Sequence, residues 1–327
     1  MLIPQYWAEA RVQHRSPNRG TQVTLRRFGW SELSQADAQQ MAEQRAEEAL
    51  SRLLAGDKIS RREPKVPYNG AEGTPIREQI LERIGDSVIT RNAYGAQCLN
   101  TPGALFADID FDASGGASAF AWTGLVGLLL VGFAVGVAIH WAVGMLVALI
   151  GSFVVTAIDK LMRSARQRRL PPPEAVHLPR IEAFINAHPE WTLRIYRTPA
   201  GLRLLAMHRL FDPNEAAVGT LFDALGVDPS YARMCRRQSC FRARLTAKPW
   251  RTGMDERIRP RPGVWPIQPA YVEVRQRWVE RYERIAADYA ACRYLSTLGS
   301  GAVDPQVDSV RLLHDERCRA LSELPLA

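Results

Sequence analysis

The sequence lacks several features that would assign a function directly. It has no Gly-rich phosphate loop of the usual spacing, and no Ser or Cys lies in a recognisable nucleophile setting. Its first 16 residues carry Glu9, Arg11 and Arg15 and no apolar core segment, so we do not expect a cleaved signal peptide. These absences give no support to the common NTPase and hydrolase classes.

Cysteine is scarce and oddly distributed. Five cysteines, an uneven number, are scattered over the chain: Cys98, Cys235, Cys240, Cys292 and Cys318. This is not the pattern of a disulfide framework, and Cys235 and Cys240 lack the second close pair that a typical zinc site needs. We therefore expect reduced thiols, which suits a cytosolic location for the soluble parts.

Lysine is also scarce, with four residues against 38 arginines, a bias typical of a GC-rich bacterial genome. The formal charge of +8 resides in residues 231–261, which hold ten basic and two acidic side chains, while the rest of the chain is balanced. Aromatic residues are interleaved with this basic stretch. Three interpretations stay open: nucleic acid or nucleotide binding, contact with an anionic membrane leaflet, or internal pairing with acidic residues.

Charge is missing altogether from residues 117–158, between Asp112 and Asp159. These 42 residues are about twice the ~20 that one membrane-spanning helix needs. His140 and Trp141 mark a break, because both are tolerated at a membrane interface and His is costly in mid-bilayer. The sequence therefore predicts a hairpin of two transmembrane helices, at about 122–139 and 141–158.

The charged flank of this hairpin indicates its orientation. Basic residues follow it at once: Lys160, Arg163, Arg166, Arg168 and Arg169. The positive-inside rule places them in the cytoplasm, and a hairpin returns the chain to the side that it left. We expect a multi-pass protein of the bacterial inner membrane with both termini cytoplasmic. Gly132 and Gly136 form a small-xxx-small pair that would allow close packing of the two helices or a homodimer.

The soluble parts mix strands and helices, which predicts an α+β cytosolic domain with the hairpin inserted. Its expected parts are an N-terminal half, 1–116, a basic Pro-rich linker, 159–173, and a C-terminal half, 174–327. The predicted strands are 22–28, 105–111, 191–198, 201–208 and 241–246, with β-type composition at 87–98. The predicted helices are 34–55 capped by Ser34, 74–85, 177–188, 212–225, 270–298 and 304–321.

An acidic strand is the first candidate for chemistry. Asp108, Asp110 and Asp112 alternate with apolar residues, so on a strand they share one face. Asp108 and Asp110 are the candidate ligands of a Mg²⁺ or Mn²⁺ ion, which prefers oxygen donors. A half-buried strand with a solvated acidic face is the alternative.

Basic residues are the second candidate. Around the Thr198-Pro199-Ala200-Gly201 turn, Arg197 and Arg203 are placed to meet a phosphate, although the same residues also suit an ordinary hairpin turn. The predicted phosphate or anionic-partner residues are Arg197, Arg203, Arg236, Arg237, Arg242, Arg244 and Lys248.

Together, the Asp108-Ile109-Asp110 strand and the Tyr196–Arg203 turn sequence resemble the archaeo-eukaryotic primase superfamily over about 20 residues. The resemblance implies a metal at Asp108 and Asp110 and nucleotide phosphate at the turn. The chain departs from the family pattern at Leu204, where a His is expected, and His208 lies four residues later.

We expect, on balance, a membrane protein whose basic cytosolic domain is a non-enzymatic interaction module. The alternative is a metal-dependent enzyme that processes nucleotides or nucleic acid with a primase-like core.

Overall fold

The computed structural model describes residues 1, 3–15, 22–63, 74–111, 119–169, 172–261 and 265–327. The predicted positions Asp112 and Pro171 lie outside these ranges. The chain divides into two compact units, one made of Met1–Asp110 with Arg180–Ala327 and the other of Phe111–Pro179. Eight α-helices and three sheets occur in the described part, which confirms the α+β class.

The first unit begins with a hairpin covered by a helix. Strands β1 (Tyr6–Arg15) and β2 (Gln22–Ser31) pair antiparallel, and α1 (Gln35–Leu54) packs on them. Ser34 caps α1 by accepting a hydrogen bond from Asp37 N, as the sequence predicts. The buried face of α1 is a stripe of alanines, which lets the helix backbone approach Gly29 so closely that a Cβ there would lie 2.2 Å from Ala38 O.

One four-stranded antiparallel sheet has the order β3-β4-β5-β9. Its strands are β3 (Gln79–Ile84), β4 (Ser87–Arg91), β5 (Gln97–Thr101) and β9 (Phe241–Arg244). The prediction of a helix at 74–85 is wrong, because residues 79–84 pair with β4 across a tight turn. Gly85, with φ of +54°, permits that turn, and the pairing overrides the helical propensity of the segment.

The second four-stranded antiparallel sheet has the order β10-β7-β8-β6. Its strands are β6 (Phe106–Asp110), β7 (Thr192–Thr198), β8 (Gly201–Ala206) and β10 (Arg293–Gly299). The predicted hairpin of β7 and β8 and the predicted acidic strand β6 are confirmed. In both larger sheets a strand before residue 111 pairs with a strand after residue 179, β5 with β9 and β6 with β8.

Helices α5 (Ala216–Leu225), α6 (Pro229–Gln238), α7 (Val272–Ala286) and α8 (Pro305–Cys318) complete this unit. The prediction of one long helix at 270–298 is wrong in its second half. The chain leaves the helix after Ala286 and returns as β10, whose alternating exposure is that of an edge strand beside β7. The helix predicted from Asp212 begins later, at Ala216.

The second unit contains two apolar helices, α2 (Ala119–Ala138) and α3 (Trp141–Arg169). They separate at the predicted break, where His140 Nδ1 accepts a hydrogen bond from Ala142 N at 3.2 Å. One helix, Trp141–Met162, is long and apolar enough to cross a membrane by length and composition, with a mean hydropathy of 2.2. The apolar part of α2, Trp122–Ala138, is shorter.

Glycines bring α2 and α3 together. A Cβ on Gly144 would lie 2.2 Å from Gly132 O and 2.7 Å from Gly136 Cα. The predicted small-xxx-small pair of Gly132 and Gly136 therefore faces α3 of the same chain.

The segment after the uncharged run differs from the predicted linker. Helix α3 continues to Arg169, and α4 (Pro173–Ala187) begins soon afterwards, so most of 159–173 is helical.

Candidate functional site

A row of polar and aromatic side chains crosses the sheet of β6, β7, β8 and β10 in register. Asp108 is paired with Arg203, Arg203 with Tyr196, and Tyr196 with Tyr294. Side chains in such a row point to the same face of the sheet. The acidic strand and the Thr198–Gly201 hairpin, 95 residues apart at Asp108 and Arg203, are therefore neighbours.

Arg203 lies at the centre of this row. Its guanidinium is 1% exposed and donates to both carboxylate oxygens of Asp108, at 2.8 and 3.1 Å. It also donates to Arg244 O on β9 at 2.8 Å. Burial alone would lower the pKa of Arg203, but Asp108 raises it, so the Arg203 guanidinium stays charged. Arg203 thus ties the two larger sheets together.

A second hydrogen-bond chain starts at His314 on α8. Nη1 of Arg203 lies 3.3 Å from His314 Nε2, and because arginine only donates, Nε2 must accept. His314 Nδ1–H then donates to Asp315 Oδ1, at 3.1 Å. Asp315 also accepts from Tyr196 OH at 2.6 Å and Arg194 at 2.8 Å.

Two cysteines flank His314. Cys292 Sγ lies 3.9 Å from His314 Nε2, and Cys318 Sγ lies 3.5 Å from Arg244 O. The pKa of the Cys292 thiol is lowered, chiefly by a hydrogen bond from Cys318 and further by His314 and Arg203. All three side chains are buried.

Toward solvent, three cations lie beside the outer end of β6. We call Arg244, Lys248 and Arg251 the basic cluster. Partial burial lowers the pKa of Lys248, and Arg244 and Arg251 lower it further. Nη1 of Arg244 and Nη1 of Arg251 are buried and have no hydrogen-bond partner among the described residues. Asp110 and Asp108 offset part of this positive charge, but they leave the two Nη1 donors unsatisfied, and a bound anion would satisfy them.

Aromatic rings border the basic cluster. Trp250 is 54% exposed, and Lys248 Nζ lies 5.5 Å from its ring centroid. Tyr94 meets Trp250 edge-on, with ring centroids 5.2 Å apart. A large exposed indole beside half-buried cations offers a flat apolar face next to positive charge.

The structure separates the predicted anion-binding residues into two groups. Arg203 and Arg242 are buried in ion pairs, the latter with Glu78 at 2.6 Å, so they hold the fold together instead of facing a ligand. Arg197 donates to Gly201 O at 3.1 Å within its own hairpin. The other four residues reach solvent. Arg236 and Arg237 are exposed on α6, and Arg244 and Lys248 are half-buried.

The predicted metal ligands share a face of β6, but they differ in environment. Asp108 is engaged by Arg203 through both oxygens. Asp110 is exposed, and its pKa is raised by partial burial and by Asp108. Neutralisation of Asp108 by Arg203 reduces the negative charge that a Mg²⁺ or Mn²⁺ ion would meet there.

Sequence reasoning missed His314 and Cys292, and it included Arg251 only as a member of the basic stretch 231–261. The spacing of His314 and Cys318, four residues apart on a helix, is a signal for a shared face. Nothing in the sequence relates Cys292 to them, because β10 was expected to be helical. A groove of about 890 Å³ is lined in part by Trp7, Phe28 and Arg77, and Arg261 from the end of the basic stretch also lines it.

No family model, curated protein or solved structure matches this chain.

Proposed function

We propose that this protein is a membrane-tethered, non-enzymatic binding domain that holds single-stranded nucleic acid at the basic cluster. One observation carries the proposal: two guanidinium groups, on Arg244 and Arg251, present buried and unpartnered N–H donors beside Lys248. Phosphate oxygens accept from arginine through charge-assisted hydrogen bonds, which are among the stronger hydrogen bonds in proteins.

The exposed indole of Trp250 favours nucleic acid over lipid as the source of phosphate. Bases stack on aromatic side chains beside a cationic groove, which contributes about 1–3 kcal/mol per base. A membrane surface instead attracts clusters of exposed, mobile cations. Arg244, Lys248 and Arg251 are half-buried, so they suit a discrete phosphate group better than a diffuse leaflet.

The tether in this proposal is a hairpin of α2 and α3. Strands β6 and β8 are hydrogen-bonded neighbours, yet one precedes and the other follows the apolar helices. A chain that crossed the bilayer once between them would place them on opposite sides. If α3 crosses, α2 must therefore cross as well, and its 17 apolar residues, Trp122–Ala138, reach the lower limit of length for a span.

The basic flank orients the hairpin. The positive-inside rule places Lys160 and the arginines that follow it in the cytoplasm. With two crossings, both halves of the first unit share that side, and the basic cluster faces the cytosol of a bacterial cell.

Binding of a fluorescent single-stranded oligonucleotide to the detergent-solubilised protein tests the proposal. Loss of charge-assisted hydrogen bonds worth about 1.5–3 kcal/mol should weaken binding about 10- to 100-fold in the double variant R244Q/R251Q. W250A should weaken it about tenfold through loss of stacking. The measurement is fluorescence anisotropy at several salt concentrations.

R284Q is the matched control, because Arg284 is an exposed arginine on α7 outside the basic stretch. It should bind within about twofold of the wild type, as expected for one distant surface charge. If R284Q weakened oligonucleotide binding as much as R244Q/R251Q, the basic cluster would not be the binding site. The protein could instead co-sediment with anionic liposomes in preference to binding the oligonucleotide, and W250A could leave that co-sedimentation unchanged. This result would show that the basic cluster binds lipid headgroups.

The alternative function is that of a metal-dependent enzyme. The proximity of Asp108, Asp110 and Arg244 around β6 supports this alternative. The same protein samples distinguish the two by titration with Mn²⁺. Because Arg203 neutralises Asp108, we expect no saturable Mn²⁺ binding that D110N removes. Such binding at millimolar metal would favour the enzyme.

A further inference from the structure

We infer that Cys292, His314 and Cys318 form a metal-binding centre for Zn²⁺. Among the described residues, these three side chains place their ligand atoms within 4.8 Å of one another, and all three are buried. Thiolate and imidazole are the ligands that zinc prefers, and three protein ligands leave one position of a tetrahedral ion for another donor. The centre is independent of the proposed function.

One pair of ligand atoms has nearly the spacing that zinc requires, and the other two pairs lie within 4.8 Å. Zn–S distances of about 2.3 Å and Zn–N distances of about 2.0 Å put neighbouring tetrahedral ligands about 3.5–3.8 Å apart. Cys292 Sγ and His314 Nε2 are 3.9 Å apart. His314 and Cys318 come from successive turns of α8, and Cys292 comes from the segment that leads into β10. A shared ion would thus link the helix to the edge of the sheet.

The surroundings of His314 are those of a metal-bound histidine. Its Nδ1–H donates to the Asp315 carboxylate, so Nε2 carries the lone pair, which accepts from Arg203 and lies 3.9 Å from Cys292 Sγ. A carboxylate behind a ligating histidine fixes its tautomer and makes it a stronger ligand. Asp315 is itself held by Tyr196 and Arg194, so the imidazole is oriented before any ion arrives.

Charge also balances at this centre. Two thiolates neutralise one Zn²⁺ ion, and the nearby cation Arg203 is already neutralised by Asp108. Arg203 donates to His314 Nε2 in the metal-free arrangement and retains Asp108 and Arg244 O as partners when a metal ion takes the Nε2 lone pair.

Two other roles for these groups fit the structure less well. Cys292, His314 and Asp315 have the order of a nucleophilic triad, but Cys292 and His314 are 0% exposed, whereas reactive cysteines are partly accessible. A Cys292–Cys318 disulfide would leave the prepared His314–Asp315 pair without a role, and a reducing cytosol disfavours it.

Metal analysis of the full chain, purified in detergent with reduced thiols, tests the centre. We expect about one zinc per chain, lost by at least half in C292S, C318S and H314Q, as expected when one of few ligands is removed. C235A is the control, because Cys235 is an equally buried thiol outside the centre. Co²⁺ added to the metal-free wild type should give the intense visible bands of a tetrahedral thiolate site.

Three results would overturn the inference. The first is wild-type protein that contains no zinc and gives no thiolate–cobalt absorption. The second is a zinc loss in C235A equal to that in the ligand variants. The third is a Cys292–Cys318 disulfide in protein whose thiols were alkylated at cell lysis. If the ligand variants fail to fold, the cobalt spectrum of the wild type still decides.

Discussion

Replacing Asp108 with asparagine should lower the melting temperature of the detergent-solubilised protein by roughly 6–12 °C. The variant leaves the guanidinium of Arg203, 1% exposed, without its counter-charge. Asp108 is 41% exposed, so solvent screens part of the pair, but Arg203 stays desolvated in the variant and the cost should be about 3 kcal/mol, the lower end for an ion pair broken from one side. In a unit of this size, each kcal/mol corresponds to about 2–4 °C.

Two further variants test whether the unpaired charge of Arg203 causes the loss of stability in D108N. D308N removes a partly exposed ion pair with Arg311, whose guanidinium keeps Asp315 as a second partner, and should change the melting temperature by no more than about 2 °C. D108N/R203M removes both charges and should recover part of the loss, since a methionine needs no partner in that interior. A D108N effect as small as that of D308N would show that Arg203 does not depend on Asp108.

Replacing Gly201 with alanine should lower the melting temperature by a similar amount. Gly201 begins β8, and a Cβ there would lie 1.9 Å from Ile109 O and 3.0 Å from Asp110 Cα on β6. Neither backbone atom can move without separating the two strands. Overpacking of this kind costs about 3 kcal/mol, which again corresponds to roughly 6–12 °C.

Gly219→Ala is the matched control for this substitution. Gly219 lies within α5, and a Cβ there would meet only the flexible end of Arg236 at 3.6 Å. Alanine in a helix is favoured over glycine by about 1 kcal/mol, so this variant should melt slightly higher than the wild type. If both alanine variants melted alike, the close approach of β8 to β6 would be rejected.

Local signals in the sequence predicted the elements with strong boundaries. The Ser34 cap and the Pro199–Ala200 turn each specify their own conformation, and each is found where it is predicted. The helix start predicted at Asp212 is less exact, because α5 begins at Ala216. Residues 79–84 are predicted as helix although their partner β4 follows directly across the turn at Gly85, a turn signal that the prediction used as a helix end. Residues 293–299 are predicted as helix because their strand state depends on β7, which lies far earlier in the chain. Tertiary pairing of that kind leaves no local signature.

The candidate site was predictable only in part, for the same reason. The sequence identified the charge of residues 231–261 but could not show that Arg242 is neutralised by Glu78, 164 residues away, while Arg244 and Arg251 are left with unpartnered donors. It placed Asp108 and Arg203 as separate ligands, whereas the register of β6 and β8 makes them partners.

Cysteine labelling in the full chain tests the central claim, that one cytosolic domain is built from both sides of a membrane hairpin. Leu54, Leu321 and His140 are exposed positions in the N-terminal half, the C-terminal half and the turn between α2 and α3. The five native cysteines are buried, so background labelling should be low. A membrane-impermeant maleimide applied to spheroplasts should label H140C, and should label L54C and L321C only after lysis. Labelling of L54C and L321C from opposite sides of the membrane would contradict the account.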